Sequence, residues 1–123
     1  MRRSMMQVHV KGSNEAVEFY QKAFDAELIA SHLNSDGTFY HSELDVYGQI
    51  LAVSEAANGE VPTTGTTMQF CLQFGRGNED VLQKAHDVLK DGADIRVPLG
   101  PCDYSSLMVN LIDRFGVWWC LFI

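Results

Sequence analysis

The chain has 123 residues, 46% of them apolar, and a net charge of −7. This is the size and apolar content of one ordinary globular domain with its own core. The acidic balance disfavours nucleic-acid phosphates and anionic lipid as partners, and no apolar run approaches the roughly 20 residues of a membrane span.

Met1-Arg2-Arg3 lacks the apolar stretch that follows in a secretory signal. Residues 5–10 then alternate: Met6, Val8 and Val10 take one face, Met5, Gln7 and His9 the other, as in a strand. Gly12-Ser13-Asn14-Glu15 opens a helix, with Ser13 or Asn14 expected as N-cap and Glu15 favoured by the helix dipole. Its apolar face is Ala16, Val17, Tyr20, Ala23 and Phe24. A short strand is predicted over 28–30 and a turn over 34–37. A third strand over 39–46 sets Ser42, Leu44 and Val46 against His41, Glu43 and Asp45. A fourth follows the turn Asp45-Val46-Tyr47-Gly48.

Residues 57–65 are small, polar and broken by Gly59, Pro62 and Gly65. They read as a linker too short to separate independent domains. The order then repeats. In the strand predicted over 67–74, Met68, Phe70, Leu72 and Phe74 oppose Gln69, Cys71 and Gln73. Gly75-Arg76-Gly77-Asn78 leads into a helix whose apolar face is Val81, Leu82, Ala85, Val88 and Leu89, ending at Asp91-Gly92. Strands are predicted over 94–98 and 107–112. The last strand follows Asp113-Arg114-Phe115-Gly116, which echoes Asp45-Val46-Tyr47-Gly48 at a spacing of about 68 residues. The three cysteines, Cys71, Cys102 and Cys120, are an odd number without metal-knuckle spacing and fit reduced thiols in a cytoplasmic protein.

The expected fold is therefore α+β: two paired βαβββ units, residues about 5–56 and about 66–123 of a single domain, forming a curved mixed sheet. One sheet face lies under the helices. The other, lined by Gln7, His9, Gln69 and Gln73, is too polar for a second core and points to a concave small-molecule cavity.

The stretch from Ala16 to Leu28 resembles the "A-x-x-F-Y-x-x-x-F-G-x-x-L" motif of the vicinal oxygen chelate superfamily, which includes glyoxalase, bleomycin-resistance and extradiol dioxygenase proteins. Asp25 stands where that family usually has Gly. With His41-Ser42-Glu43-Leu44, Gly48 and the run from Asp113 to Trp119, the pattern looks most like the PhnB-like branch. The resemblance implies metal ligands on the first and last strand of each unit, at Met5, Ala52, Gln69 and Cys120 here. Met and Ala cannot bind a hard divalent cation, Gln binds weakly, and a lone Cys favours softer metals. No metal and no other cofactor is expected at the inherited positions, which puts glyoxalase, dioxygenase and metal-dependent thiol-transferase activity in doubt. Small relatives commonly complete their cavities across a two-fold interface, so the resemblance also implies a homodimer. Some relatives are catalogued as methyltransferases, yet no glycine loop or acidic strand end for a nucleotide-like methyl donor is present.

His41 and Glu43 share one strand face and are the candidate catalytic pair. They read as general base and polar anchor, as part of a relocated His/His/Glu metal site with His9, or as a hydrogen-bonded polar lining. Cys71 and Cys120 are expected side by side on neighbouring strands, as a redox pair, a nucleophile or small apolar fillers. By parity Gln69, Trp118 and Phe122 line the same wall, while Trp119, Leu121 and Ile123 face the helices. The candidate ligand-binding set is Gln7, His9, Gln69, Cys71, Gln73, Trp118, Cys120 and Phe122. Gly75-Arg76-Gly77 lacks the further glycine and lysine of a phosphate loop and reads as a loop leading into the helix. Two functions stand at this point: a small-molecule binder without metal, and a lyase- or transferase-like enzyme built around His41 and Glu43. A structural role without ligand is third.

Overall fold

The computed structural model describes residues 1–123, which divide into two compact units, Met1–Thr63 and Thr64–Ile123. The first holds β1 (Met6–Val10), α1 (Ser13–Phe24), β2 (Glu27–Leu33), β3 (Phe39–Val46) and β4 (Gln49–Glu55). The second holds β5 (Phe70–Gln73), α2 (Glu79–Leu89), β6 (Asp94–Cys102), β7 (Ser105–Ile112) and β8 (Trp118–Phe122). Each unit is a βαβββ arrangement around one four-stranded mixed sheet, with orders β1-β4-β3-β2 and β5-β8-β7-β6. First and last strands pair in parallel in both units, Gln7 opposite Ala52 and Cys71 opposite Cys120.

The predicted alternation decides which side chains meet the helix. In the first unit, Ala16, Val17, Tyr20, Ala23 and Phe24 of α1 are buried, as are Val10, Leu44, Val46, Leu51 and Val53 of the sheet. Apolar area leaving water is the main favourable term here, at about 25 cal/mol per Å2. Ser42 also lies in this layer, where its hydroxyl donates to the Val53 carbonyl at 2.7 Å. In the second unit, Leu82, Ala85 and Leu89 of α2 are buried, together with Val109, Leu111, Trp119 and Leu121.

Three strands differ most from expectation. β2 runs on through Ser31 and His32 because antiparallel pairing with Ser42 and His41 satisfies its backbone whatever the side chains are. β6 extends to Cys102 by pairing with β7 through several register shifts. β5 is shorter, because its ladder with β8 begins only at Phe70 opposite Trp119; Met68 lies outside it and is exposed.

The start of α1 also differs. Neither Ser13 nor Asn14 is the N-cap; Gly12 holds that position in the left-handed region, with no side-chain cap of its own. The orphan amides are met by Glu55 at the end of β4. Its carboxylate accepts from the Gly12 and Ser13 N–H groups at 3.1 and 2.9 Å and from the Ser13 hydroxyl at 2.9 Å. At the other end, Asp25 adopts the left-handed C-cap with φ 50°. Asp is among the few residues with a side chain that visit this region readily, so a helix stop needs no glycine here.

The two Asp-x-aromatic-Gly stretches build different turns. Val46 pairs with Gln49, leaving Tyr47 and Gly48 as a two-residue loop with φ 54° and 87°, the type I′ pattern. In the second unit Asp113 N–H bonds Val117 O at 2.8 Å and Gly116 N–H bonds Asp113 O at 2.9 Å, a three-residue loop with Gly116 as the left-handed bulge. Buried Asp113 orders it: Oδ1 accepts from the Phe115 and Val117 amides, and Oδ2 from Trp119 Nε1 at 2.9 Å.

Candidate functional site

The polar face of the first sheet carries Gln7 and His9 on β1, Ala52 and Ser54 on β4, and His41 and Glu43 on β3. Strand parity places them together: Ala52 lies between Gln7 and Glu43, and Ser54 lies beside His9. Gln7 Nε2 donates to Ser54 Oγ at 3.1 Å. Of these, Gln7, His9, His41 and Ser54 border a cleft of about 800 Å3, lined also by Asn34 and Tyr40 and edged by Asp36, Glu55 and Glu60.

Glu43 is the most strongly perturbed group beside it. Its side chain is 8% exposed. A buried carboxylate must find hydrogen-bond partners to stay ionised, and both oxygens do. Arg3 approaches as a fork, Nη2 to Oε1 and Nη1 to Oε2, each at 2.8 Å. His41 Nε2 lies 3.0 Å from Oε1. The Arg3 bond, followed by the His41 bond, pushes the Glu43 carboxyl down to about 2. Because the ionised carboxylate can only accept, His41 Nε2 carries the proton and Nδ1 is the unprotonated ring nitrogen of the neutral form. Glu43 is thus fully engaged and positions His41; it has no free oxygen to act as a base.

The second unit gathers the other predicted residues on the polar face of its own sheet. Cys71 and Cys120 are register neighbours, as are Gln73 and Phe122. Cys71 and Gln73 are exposed, Trp118 and Phe122 partly so, and Cys120 is buried. Burial pushes the Cys120 thiol up, against a weaker opposing pull from the Tyr104 hydroxyl. That disfavours the thiolate a nucleophile needs. Tyr104 O–H lies 3.8 Å from Cys120 Sγ and packs edge-on against Phe122. Trp118 Nε1 donates to Asn110 Oδ1 at 2.6 Å. Gln69 Oε1 accepts from the Cys71 thiol at 3.6 Å, and its Nε2 is buried without a partner. Trp119, Leu121 and Ile123 are buried on the opposite face, as the alternation requires.

Sequence reasoning did not find Arg3, Tyr40, Asn34, Ser54 or Tyr104. Arg3 precedes the first strand and has no periodic context. Ser54 has the parity of Ala52 and could have been found from it.

The inherited metal positions do not fit a hard divalent cation. Ala52 offers no donor, Met5 offers only a thioether, and the amide oxygen of Gln69 already serves Cys71. No group of three or more His, Cys, Asp or Glu side chains is arranged to hold a metal ion.

The sequence pattern of the Glyoxalase/Bleomycin resistance protein/Dioxygenase superfamily matches residues 4–121. The chain belongs to this superfamily. Among curated protein sequences none matches. Its solved structural relatives include a putative 3-demethylubiquinone-9 3-methyltransferase, PhnB protein, from Bacillus cereus, at 21% identity over 98% of each chain with a TM-score of 0.76. Protein PA1353 from Pseudomonas aeruginosa matches at 18% identity over 99% of this chain and 97% of its own, with a TM-score of 0.82. The fosfomycin resistance protein FosX from Listeria monocytogenes matches at 18% identity over 98% and 91%, with a TM-score of 0.73. At these identities the likeness establishes the fold, and a fold of this kind hosts many chemistries. No helix is long and apolar enough to cross a membrane.

Proposed function

We propose that this superfamily member binds a small polar organic molecule in the cleft of its first unit, without the divalent metal of the superfamily's enzymes. The observation that carries this reading is the cleft itself: about 800 Å3, with Gln7, His9, His41 and Ser54 converging on it from three strands. Concave sites with a few convergent polar groups are the usual form of small-molecule sites. The second unit presents a candidate contact surface of its own, Gln69, Cys71, Gln73, Trp118, Cys120 and Phe122, which is more aromatic and sulfur-rich. Fragment titrations followed by amide chemical shifts, with and without divalent cations, test the reading. Hits are expected to shift His9 and His41 in metal-free protein and to lose affinity in His9→Ala. Hits that bind only with added metal, or only away from these residues, would overturn it.

A second reading, a lyase- or transferase-like enzyme, is favoured by one contact, the His41 Nε2 to Glu43 Oε1 bond. In it His41 is the general base through Nδ1 and Glu43 fixes its tautomer. A ligand converted to product at a rate unchanged in His41→Asn would eliminate this reading. The protein is further proposed to act as a homodimer in a reducing cytoplasm, where Cys71, Cys102 and Cys120 stay free. Light scattering is expected to give twice the 13.8 kDa chain mass; a value at the chain mass itself at micromolar concentration would refute the dimer.

A further inference from the structure

We propose that Glu43 is a receptor for guanidinium and amidinium groups, that Arg3 occupies it as a tethered occupant, and that a small organic cation binds by displacing Arg3. The proposal deepens the cleft reading and rests on it for where the body of such a ligand lies.

Glu43 is an ionised carboxylate on the sheet face, 8% exposed, with its two oxygens turned to one planar partner. Two parallel N–H bonds at 2.8 Å are the geometry by which a carboxylate distinguishes a planar fork from a point charge. The occupant has less of the fold around it. Arg3 belongs to residues 1–5, which have no regular secondary structure before β1, and its side chain is 52% exposed. A buried acceptor with a half-exposed donor on an irregular segment is an exchangeable pair. Either partner can be supplied from outside, and only the carboxylate is fixed.

The surroundings favour a cation. His41 touches Glu43 and also lines the cleft, so a head group at Glu43 is continuous with the cleft through His41. The cleft edge carries Asp36, Glu55 and Glu60 and no Lys or Arg. The whole chain carries a charge of −7, which raises the local concentration of cations near such a cleft. Exposed Tyr40 on the cleft wall offers a ring face for the body of the ligand. The chemical class is therefore a small planar amidinium or guanidinium on an aromatic or polar body.

The probe is benzamidinium, titrated into wild type, Arg3→Ala and Arg3→Ala/Glu43→Gln and followed by amide shifts, with neutral benzamide as its uncharged analogue. Removing the tethered competitor should tighten benzamidinium binding roughly tenfold over wild type, as when the competent state rises from about a tenth of the population to all of it. The gain should vanish in the double variant, and benzamide should not show it. If Arg3→Ala does not fold, Arg3→Lys serves instead: it keeps the charge and removes the fork, so benzamidinium should still bind more tightly than to wild type. Equal affinity for wild type and the Arg3 variant, binding that survives Glu43→Gln, or equal binding of benzamide would each overturn the proposal. Such a result, with neutral fragments still shifting His9 and His41, removes the cation subsite and leaves the cleft reading intact. Loss of shifts at His9 and His41 with every compound removes the cleft reading instead.

Discussion

Glu43 shows how one residue's surroundings set its role. Its carboxyl is pushed down to about 2 from an ordinary 4.5, by Arg3 first and His41 second. The folded pKa lies below the unfolded one, so the contribution is fully present above about 4.5 and is lost as pH falls toward about 2. Urea midpoints measured across that window should therefore fall less steeply with acid in Glu43→Gln than in wild type. Parallel curves would show that the Arg3 and His41 bonds do not depress the pKa in solution. Arg3 is half exposed and screened by water, so the effect belongs with modest surface pairs. The strand parity of His41 and Glu43 was readable from sequence. Their closure by Arg3 was not, because it depends on a residue 40 positions away with no pattern around it.

At the scale of elements, the two hairpin turns carry the same sequence motif and differ in mechanics. Gly48 and Gly116 both sit at positive φ, 87° and 88°. A Cβ added at Gly48 meets open space, whereas one at Gly116 would stand 2.5 Å from Thr64 Oγ1. Gly48→Ala should therefore cost about 1–2 kcal/mol, the left-handed penalty alone. Gly116→Ala should cost up to about 1 kcal/mol more, because the exposed Thr64 side chain must turn away from its rotamer to make room. Thermal or urea unfolding gives both values, and adding Thr64→Ala should recover part of the second loss but none of the first. Equal costs at the two glycines would remove Thr64 as the cause. The motif was legible because Asp, an aromatic ring and Gly recur in order. The turn types were not, because the extra loop residue is decided by where Ile112 and Trp118 pair, not by the four-letter pattern.

For the whole molecule, the repeat was the readable part. Alternation in β1, β3 and β8 and helical spacing in α1 and α2 assigned inner and outer faces correctly, and the neighbouring placement of Cys71 and Cys120 followed from the βαβββ order. Strand ends and helix caps were less legible because ladder partners and distant carboxylates set them. Glu55 is the clearest case: a cap for α1 supplied from β4, 42 positions along the chain from Ser13.

That distant cap has a kinetic consequence. A bond spanning so much chain, beside a parallel strand pair that closes the same loop, forms only after most loop-closure entropy has been lost. Glu55 should thus be absent from the rate-limiting structure and present in the native one. In stopped-flow refolding and unfolding, Glu55→Gln is expected to leave the refolding rate nearly unchanged and to place its loss in faster unfolding. A slower refolding limb would mean that the ends of the first unit meet early. On the expected outcome, Glu55 governs how long the first unit stays folded while leaving how fast it forms to the local hairpins.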